Sequence, residues 1–239
     1  MPADPDTNKL PYTTALIVGA GMGLSASVAR RLAGRGMAVA LAARDPSKLT
    51  SLCDEIGAKG FRCDAQDEME VARLFDAVDM QMGPPDVVVY NASARARGPL
   101  TALDPGEVRR VLLVNGFGAF AVAQCAASRM LVRGRGAILF TGASASVKGY
   151  AESAPFAMGK FAVRGLAQSM ARELAPRGIH VAHFVIDGAI GRPGQAAPGD
   201  APDSRLDPDA IASSYLHVLE QPRSAWTWEI ELRPWVERF

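Results

Sequence analysis

"ALIVGAGMGLSASVARRLAGRG", residues 15–36, decides the fold. An apolar run at 15–18 meets glycines at 19, 21 and 23, and a helical pattern then continues through Arg35. Glycines let a backbone turn sharply and come close to a bound phosphate. The N-terminus of the following helix offers free N–H groups and a partial positive charge. The spacing does not match GxGxxG, because position 24 is leucine. It matches a longer turn with glycines at 19 and 23, in which Ser25 replaces the third usual glycine. In this strand–turn–helix context Gly19, Gly21, Gly23 and Leu24 are candidates for binding a phosphate or dinucleotide.

The same alternation runs outward from this unit. Apolar runs at 38–43, 60–63, 86–93, 136–142, 179–186 and 227–232 are separated by helical patterns. The longest helical patterns cover about 104–132, 153–176 and 207–221. The strands are continuous apolar runs, the pattern of strands covered on both faces. Seven of them between helices predict an α/β fold. It is a three-layer, doubly wound parallel sheet of seven strands with helices on both faces. Residues 1–11 read as a flexible tail and 12–239 as a single domain. Residues 191–208, rich in Gly, Pro and Asp, read as a loop placed to act as a lid.

Composition narrows the function classes. The net charge of +1 draws the chain to neither nucleic acid nor an acidic membrane. No uninterrupted apolar run approaches the length of about 18 residues that spans a bilayer, and the N-terminus lacks a signal-peptide pattern. Cys53, Cys63 and Cys125 form no CxxC and read as reduced thiols of a cytoplasmic protein. His180, His183 and His217 have no metal-ligand spacing.

The end of the second strand bears on the cofactor. An acidic residue there holds ribose hydroxyls and favours NAD. Here Ala43 is followed by Arg44, which suits a 2′-phosphate, so NADP is favoured over NAD. Asp45 works against that preference.

With these residues in hand, the chain resembles the short-chain dehydrogenase/reductase family, over about residues 12–239. The turn at 19–25, "CDAQD" at 63–67, "NAS" at 91–93, "VNGFGAF" at 114–120, Lys160 and "IDGAI" at 186–190 fall in the family's order. The resemblance implies a Rossmann-like fold and hydride transfer between NADP(H) and a small carbonyl or alcohol. It also implies individual roles. Asp64 and Ala65 meet the adenine, Asn91 and Ala92 pass the adenosine ribose, and Lys160 bonds the nicotinamide ribose. Gly188 and the Ile190 backbone meet the carboxamide. Asn115 orders a helical kink and a proton-relay water. The helix of 153–176, with small residues at 157, 159, 162 and 165, joins subunits into a homodimer or homotetramer.

Two positions depart from the family pattern. The tyrosine four residues before the lysine is Phe156, and the serine thirteen before that is Ala143. Asp187 stands where proline is usual, and Ser93 where glycine is. A positioned acid–base contributes about 10²–10⁴ in rate. Ser144 replaces the lost hydroxyl only if the backbone bulges, and Tyr150, Lys148, Ser146 and Ser153 are further candidates nearby. Three readings follow: a reductase with rearranged acid–base groups, an enzyme for substrates that need less acid catalysis, and a non-catalytic NADP(H)-binding sensor or partner. The substrate is not legible. An Arg95 or Arg97 facing the pocket points to an acidic one, but nothing in the sequence sets their direction.

Overall fold

The computed structural model describes residues 10–191 and 203–237. Its strands are β1 (Thr14–Val18), β2 (Ala38–Ala43), β3 (Lys59–Arg62), β4 (Val87–Tyr90), β5 (Gly136–Thr141), β6 (Ile179–Ile186) and β7 (Glu229–Leu232). Its α-helices are α1 (Leu24–Gly34), α2 (Thr50–Ile56), α3 (Glu68–Met82), α4 (Pro105–Leu112), α5 (Gly118–Arg133), α6 (Ala154–Leu174) and α7 (Pro208–Glu220). The strands form one sheet in the order β3-β2-β1-β4-β5-β6-β7, and every pairing is parallel.

Side chains alternate across each strand, so one strand feeds two cores. Leu16 and Val18 join a core with Phe75, Val122 and Met130, beneath α3, α5 and α6. Ala15 and Ile17 join the opposite core with Val28, Leu32 and Tyr215, beneath α1 and α7. The order of the strands reverses between β1 and β4. The crevice at the C-terminal ends of those strands is where such sheets bind ligands, and the glycine turn leaves β1 there.

Two sequence expectations need correction. Leu10 is buried in the core beside α1, so packing starts inside the expected 1–11 tail. Residues 1–9, and 192–202 of the expected lid, lie outside the described residues. The stretch Pro105–Arg133 is, by length and composition, long and apolar enough to cross a membrane. Counting uninterrupted apolar runs missed it. Here it packs within the domain, with Ala119, Val122, Ala126 and Met130 in the core.

Candidate functional site

The glycine turn is built for close approach. Gly19 has φ +83°, and a Cβ there would lie 2.2 Å from the Ala92 backbone nitrogen. Only glycine fits. A Cβ at Gly21 or Gly23 would meet no protein atom within 4 Å. Ser25 is buried; its hydroxyl donates to the Gly19 carbonyl at 3.3 Å and accepts from Asn91 Nδ2 at 2.6 Å. The residue that replaces the third glycine thus ties the turn to the segment after β4. Helix α1 has no side-chain cap and no acid in its first turn, whereas aspartates cap α3, α4 and α7. The open glycine faces and uncapped N–H groups fit a pyrophosphate. Leu24 contributes backbone only, since its side chain is in the core.

From the turn a cavity of about 480 Å³ extends over the strand ends. Gly19, Gly21, Arg44, Asp64, Ala65, Asn91 and Ala92 all line it. Arg44 is exposed and makes no hydrogen bond or ion pair with the described residues. Asp64 is oriented by Gln66, whose Nε2 donates to its carboxylate at 2.8 Å. Asp45 lines the same cavity beside Arg44; it caps residues 46–49, and its bonds to Ser47 hold its carboxyl below the usual range.

At the far end, Ala94 and Val114 line the same cavity. The helix expected over 104–132 is interrupted by a π turn at Leu113–Phe117. Asn115 sits in it, fully buried. Its Oδ1 accepts from Ala94 N–H at 2.8 Å and its Nδ2 donates to the Ala94 carbonyl at 2.9 Å. Tyr90 donates its hydroxyl to the Val114 carbonyl. These bonds satisfy groups that the widened turn presents, a device common at functional sites. Two glycines permit the packing. A Cβ at Gly118 would lie 2.2 Å from the Ala65 carbonyl oxygen, and one at Gly159 would lie 2.6 Å from Asn115 Cβ. Part of the small-residue face of α6, read as a subunit contact, is thus used inside the subunit.

Lys160 is buried, and its Nζ donates to the Thr141 carbonyl at 2.8 Å. Burial, with the Arg95 charge added, lowers its pKa to about 8. Phe156 lies one turn earlier on α6, its ring centre 5.8 Å from Nζ. Ala143 is extended and leads into a short turn at Ser144–Ser146. The Asp187 carboxylate pairs with Lys148 Nζ at 3.1 Å, and Ser144 and Lys148 hold its carboxyl below the usual range despite burial. Tyr150 is half exposed. Ser144, Lys148 and Asp187 thus form one polar cluster, separate from the bond that holds Lys160.

The loop after β6 is also organised. Gly188 has φ +153°, and a Cβ there would lie 2.7 Å from Pro234. Leu206 N–H bonds the Ala189 carbonyl, and Gly191 N–H bonds the Leu206 carbonyl. That bridge uses neither backbone group of Ile190.

Sequence reasoning missed the network behind Lys160. His183, fully buried in β6, bonds Glu229 through Nδ1 at 3.0 Å. Arg164, one turn after Lys160, pairs with the same carboxylate at 2.7 Å. Burial lowers the His183 pKa to about 4, so the ring is neutral at pH 7. A histidine in a buried strand was the available signal. Its partner on β7 was not legible. Among the described residues no group of three His, Cys, Asp or Glu side chains is placed to hold a metal.

Comparison with known proteins agrees with this geometry. Residues 13–190 match the short chain dehydrogenase family. The chain is 33% identical over 175 residues to the 3-oxoacyl-acyl-carrier-protein reductase MabA of Mycobacterium tuberculosis, covering 73% of this chain and 68% of that one. A short-chain dehydrogenase from Rhodopseudomonas palustris superposes with a TM-score of 0.81 at 36% identity, over 93% of this chain and 99% of that one. A gluconate 5-dehydrogenase from Burkholderia cenocepacia, solved with NADP and tartrate, gives 0.83 at 26% identity, over 95% and 96% of the two chains. With the family match spanning residues 13–190, the chain belongs to the short-chain dehydrogenase/reductase family.

Proposed function

We propose that this protein is an NADP(H)-dependent oxidoreductase that interconverts a small carbonyl compound and its alcohol, with Lys160 as the group that handles the proton. The observation that carries this reading is the buried Lys160, its pKa lowered to about 8, beside a Phe156 that has no hydroxyl to offer. When bound, NADP(H) supplies the hydride for the new C–H bond, or takes it up in the reverse direction. Relatives solved with NADP, an Arg44 that pairs with no described residue, and the open glycine faces support that cofactor.

The chain's own residues divide the remaining work. The turn at Gly19, Gly21, Gly23 and Leu24 holds the pyrophosphate, and Arg44 the 2′-phosphate. Asp64 and Ala65 receive the adenine, and Asn91 and Ala92 border its ribose. Gly188 and Ile190 present backbone to the carboxamide. Lys160 holds the second ribose. As the carbonyl π pair moves onto oxygen, that oxygen needs a proton. An ammonium whose pKa is about 8 is largely protonated at neutral pH and releases its proton readily. Asn115 fixes the loop at Ala94 that faces this centre.

The exposed groove between α4, α5 and α6, lined by Val108, Leu112, Phe117, Phe120 and Leu166, suits a subunit contact in a homodimer or homotetramer. The three unpaired cysteines suit the cytoplasm.

The test is titration of the purified protein with NADPH, NADH and their oxidised forms, followed by NADPH consumption across a panel of ketones and aldehydes. Tight NADPH binding with turnover supports the proposal. Tight binding with no turnover on any carbonyl favours the non-catalytic sensor. Binding of no form sinks both.

A further inference from the structure

We propose that the substrate of this site is a short carboxylic acid, of the 2-oxo or 2-hydroxy acid class, and that Arg95 is the group that binds its carboxylate. This rests on the proposed oxidoreductase reading and names the substrate class for it.

The argument begins with where Arg95 lies. Its guanidinium carbon sits 4.2 Å from the centre of the Phe156 ring. Phe156 is the side chain in the position from which the family's tyrosine acts, and Lys160 Nζ lies 5.8 Å from the same ring centre. One aromatic ring is therefore the floor for both cations. A planar guanidinium stacked on a ring face keeps its N–H edges free, and those edges match a carboxylate in a two-point fork.

Charge points the same way. The charges that bear most on Arg95 and Lys160 are cationic: Arg97 acts on Arg95, and Arg95 acts on Lys160. Two acids near α6 are committed elsewhere: Asp187 pairs with Lys148, and Glu229 with Arg164 and His183. Neither Arg95 nor Arg97 makes an ion pair with a described carboxylate. Cations gathered beside an apolar ring, without a counter-ion of their own, favour an anionic guest.

The site is also held in place. Asn115 bonds both the N–H and the carbonyl of Ala94, the residue before Arg95. Gly98 N–H bonds the Glu152 carbonyl on the loop before α6. Both ends of the arginine loop are thus fixed, so little ordering remains to be done on binding. The location separates this anion site from the cofactor's phosphates. Those belong with the glycine turn and Arg44, whereas Arg95 stands over α6 beside the proton-handling lysine. A short acid bound there by its carboxylate brings its neighbouring carbon toward Lys160.

The test is calorimetric titration of the full chain, saturated with NADP⁺, with oxalate and separately with inorganic phosphate. Wild type, Arg95→Met and Arg95→Lys are compared, each first titrated with NADPH and checked by thermal melting. The expected result is oxalate binding that Arg95→Met weakens at least tenfold and Arg95→Lys weakens less, while NADPH affinity changes by less than about twofold. Failure of oxalate to bind wild type, or equal binding to Arg95→Met, overturns the proposal. Phosphate binding tighter than oxalate at this arginine overturns the carboxylate class. If NADPH does not bind but Arg95-dependent oxalate binding persists, the oxidoreductase reading falls and the anion site stands.

Discussion

Lys160 Nζ donates a 2.8 Å hydrogen bond to the Thr141 carbonyl, and both residues are buried. The fold keeps a cation in its interior without a hydrogen-bonded carboxylate, and that has a stability cost. The native pKa is about 8, against 10.5 for an ordinary lysine. Between these values the unfolded chain binds a proton that the native state lacks, so stability rises with pH across that window. Below it the whole penalty is present. Lys160→Met is therefore expected to melt at or above the wild-type temperature at pH 7, with the advantage shrinking from about pH 8 to about 10.5. NADPH affinity is expected to fall at least tenfold. A variant that melts well below wild type at pH 7 refutes this account.

Phe156 keeps the space of a tyrosine without its hydroxyl. Phe156→Tyr with Ala143→Ser is expected to raise NADPH turnover on simple ketones by about 10²-fold or more, the usual contribution of a positioned acid. Steady-state kinetics of the two single variants and the double variant measure it. No gain in the double variant means that Arg95, stacked on this ring, has reshaped the pocket.

Two glycines of one turn should respond in opposite ways. Gly19→Ala puts a methyl 2.2 Å from Ala92 N at φ +83°, and loss of soluble protein or a large drop in melting temperature is expected. Gly21→Ala meets no protein atom within 4 Å and should fold normally. Its methyl points where a pyrophosphate must come close, so NADPH affinity should fall at least tenfold. Melting curves and fluorescence titration of both variants separate the two effects.

Asn115→Leu removes two bonds to Ala94 and leaves a buried N–H and carbonyl without partners. A loss of about 2–5 kcal/mol is expected from two such groups. Chemical denaturation gives the number. A loss below about 1 kcal/mol shows that Ala94 finds water or another partner.

Arg44→Ser should lower NADPH affinity about tenfold or more and leave NADH affinity nearly unchanged, because only the first carries a 2′-phosphate. Paired titrations test it. An equal loss for both cofactors places Arg44 on a shared part of the dinucleotide instead.

The legibility of each element followed from how local its cause is. β6 was read at 179–186 and found there, because a strand covered on both faces is an unbroken apolar run. Helical periodicity did not show the π turn as a break; only the family resemblance placed a kink at Asn115. Its shape depends on Tyr90 and Ala94, which reach it from another part of the chain. Ser144 looked like a neighbour of the missing hydroxyl, yet Asp187 on the next strand's exit claims it.

The sequence by itself determined the layered parallel fold, the position of the glycine turn, and the absence of hydroxyls at 143 and 156. Periodicity, glycine content and side-chain identity are local properties, and they can be read wherever they occur. Only the tertiary structure decided that Arg95 lies over Phe156, that Asn115 clamps Ala94, and that Lys160 is buried with a lowered pKa. The direction of a side chain and the charge it carries depend on which distant residues pack beside it, and no pattern along the chain records that.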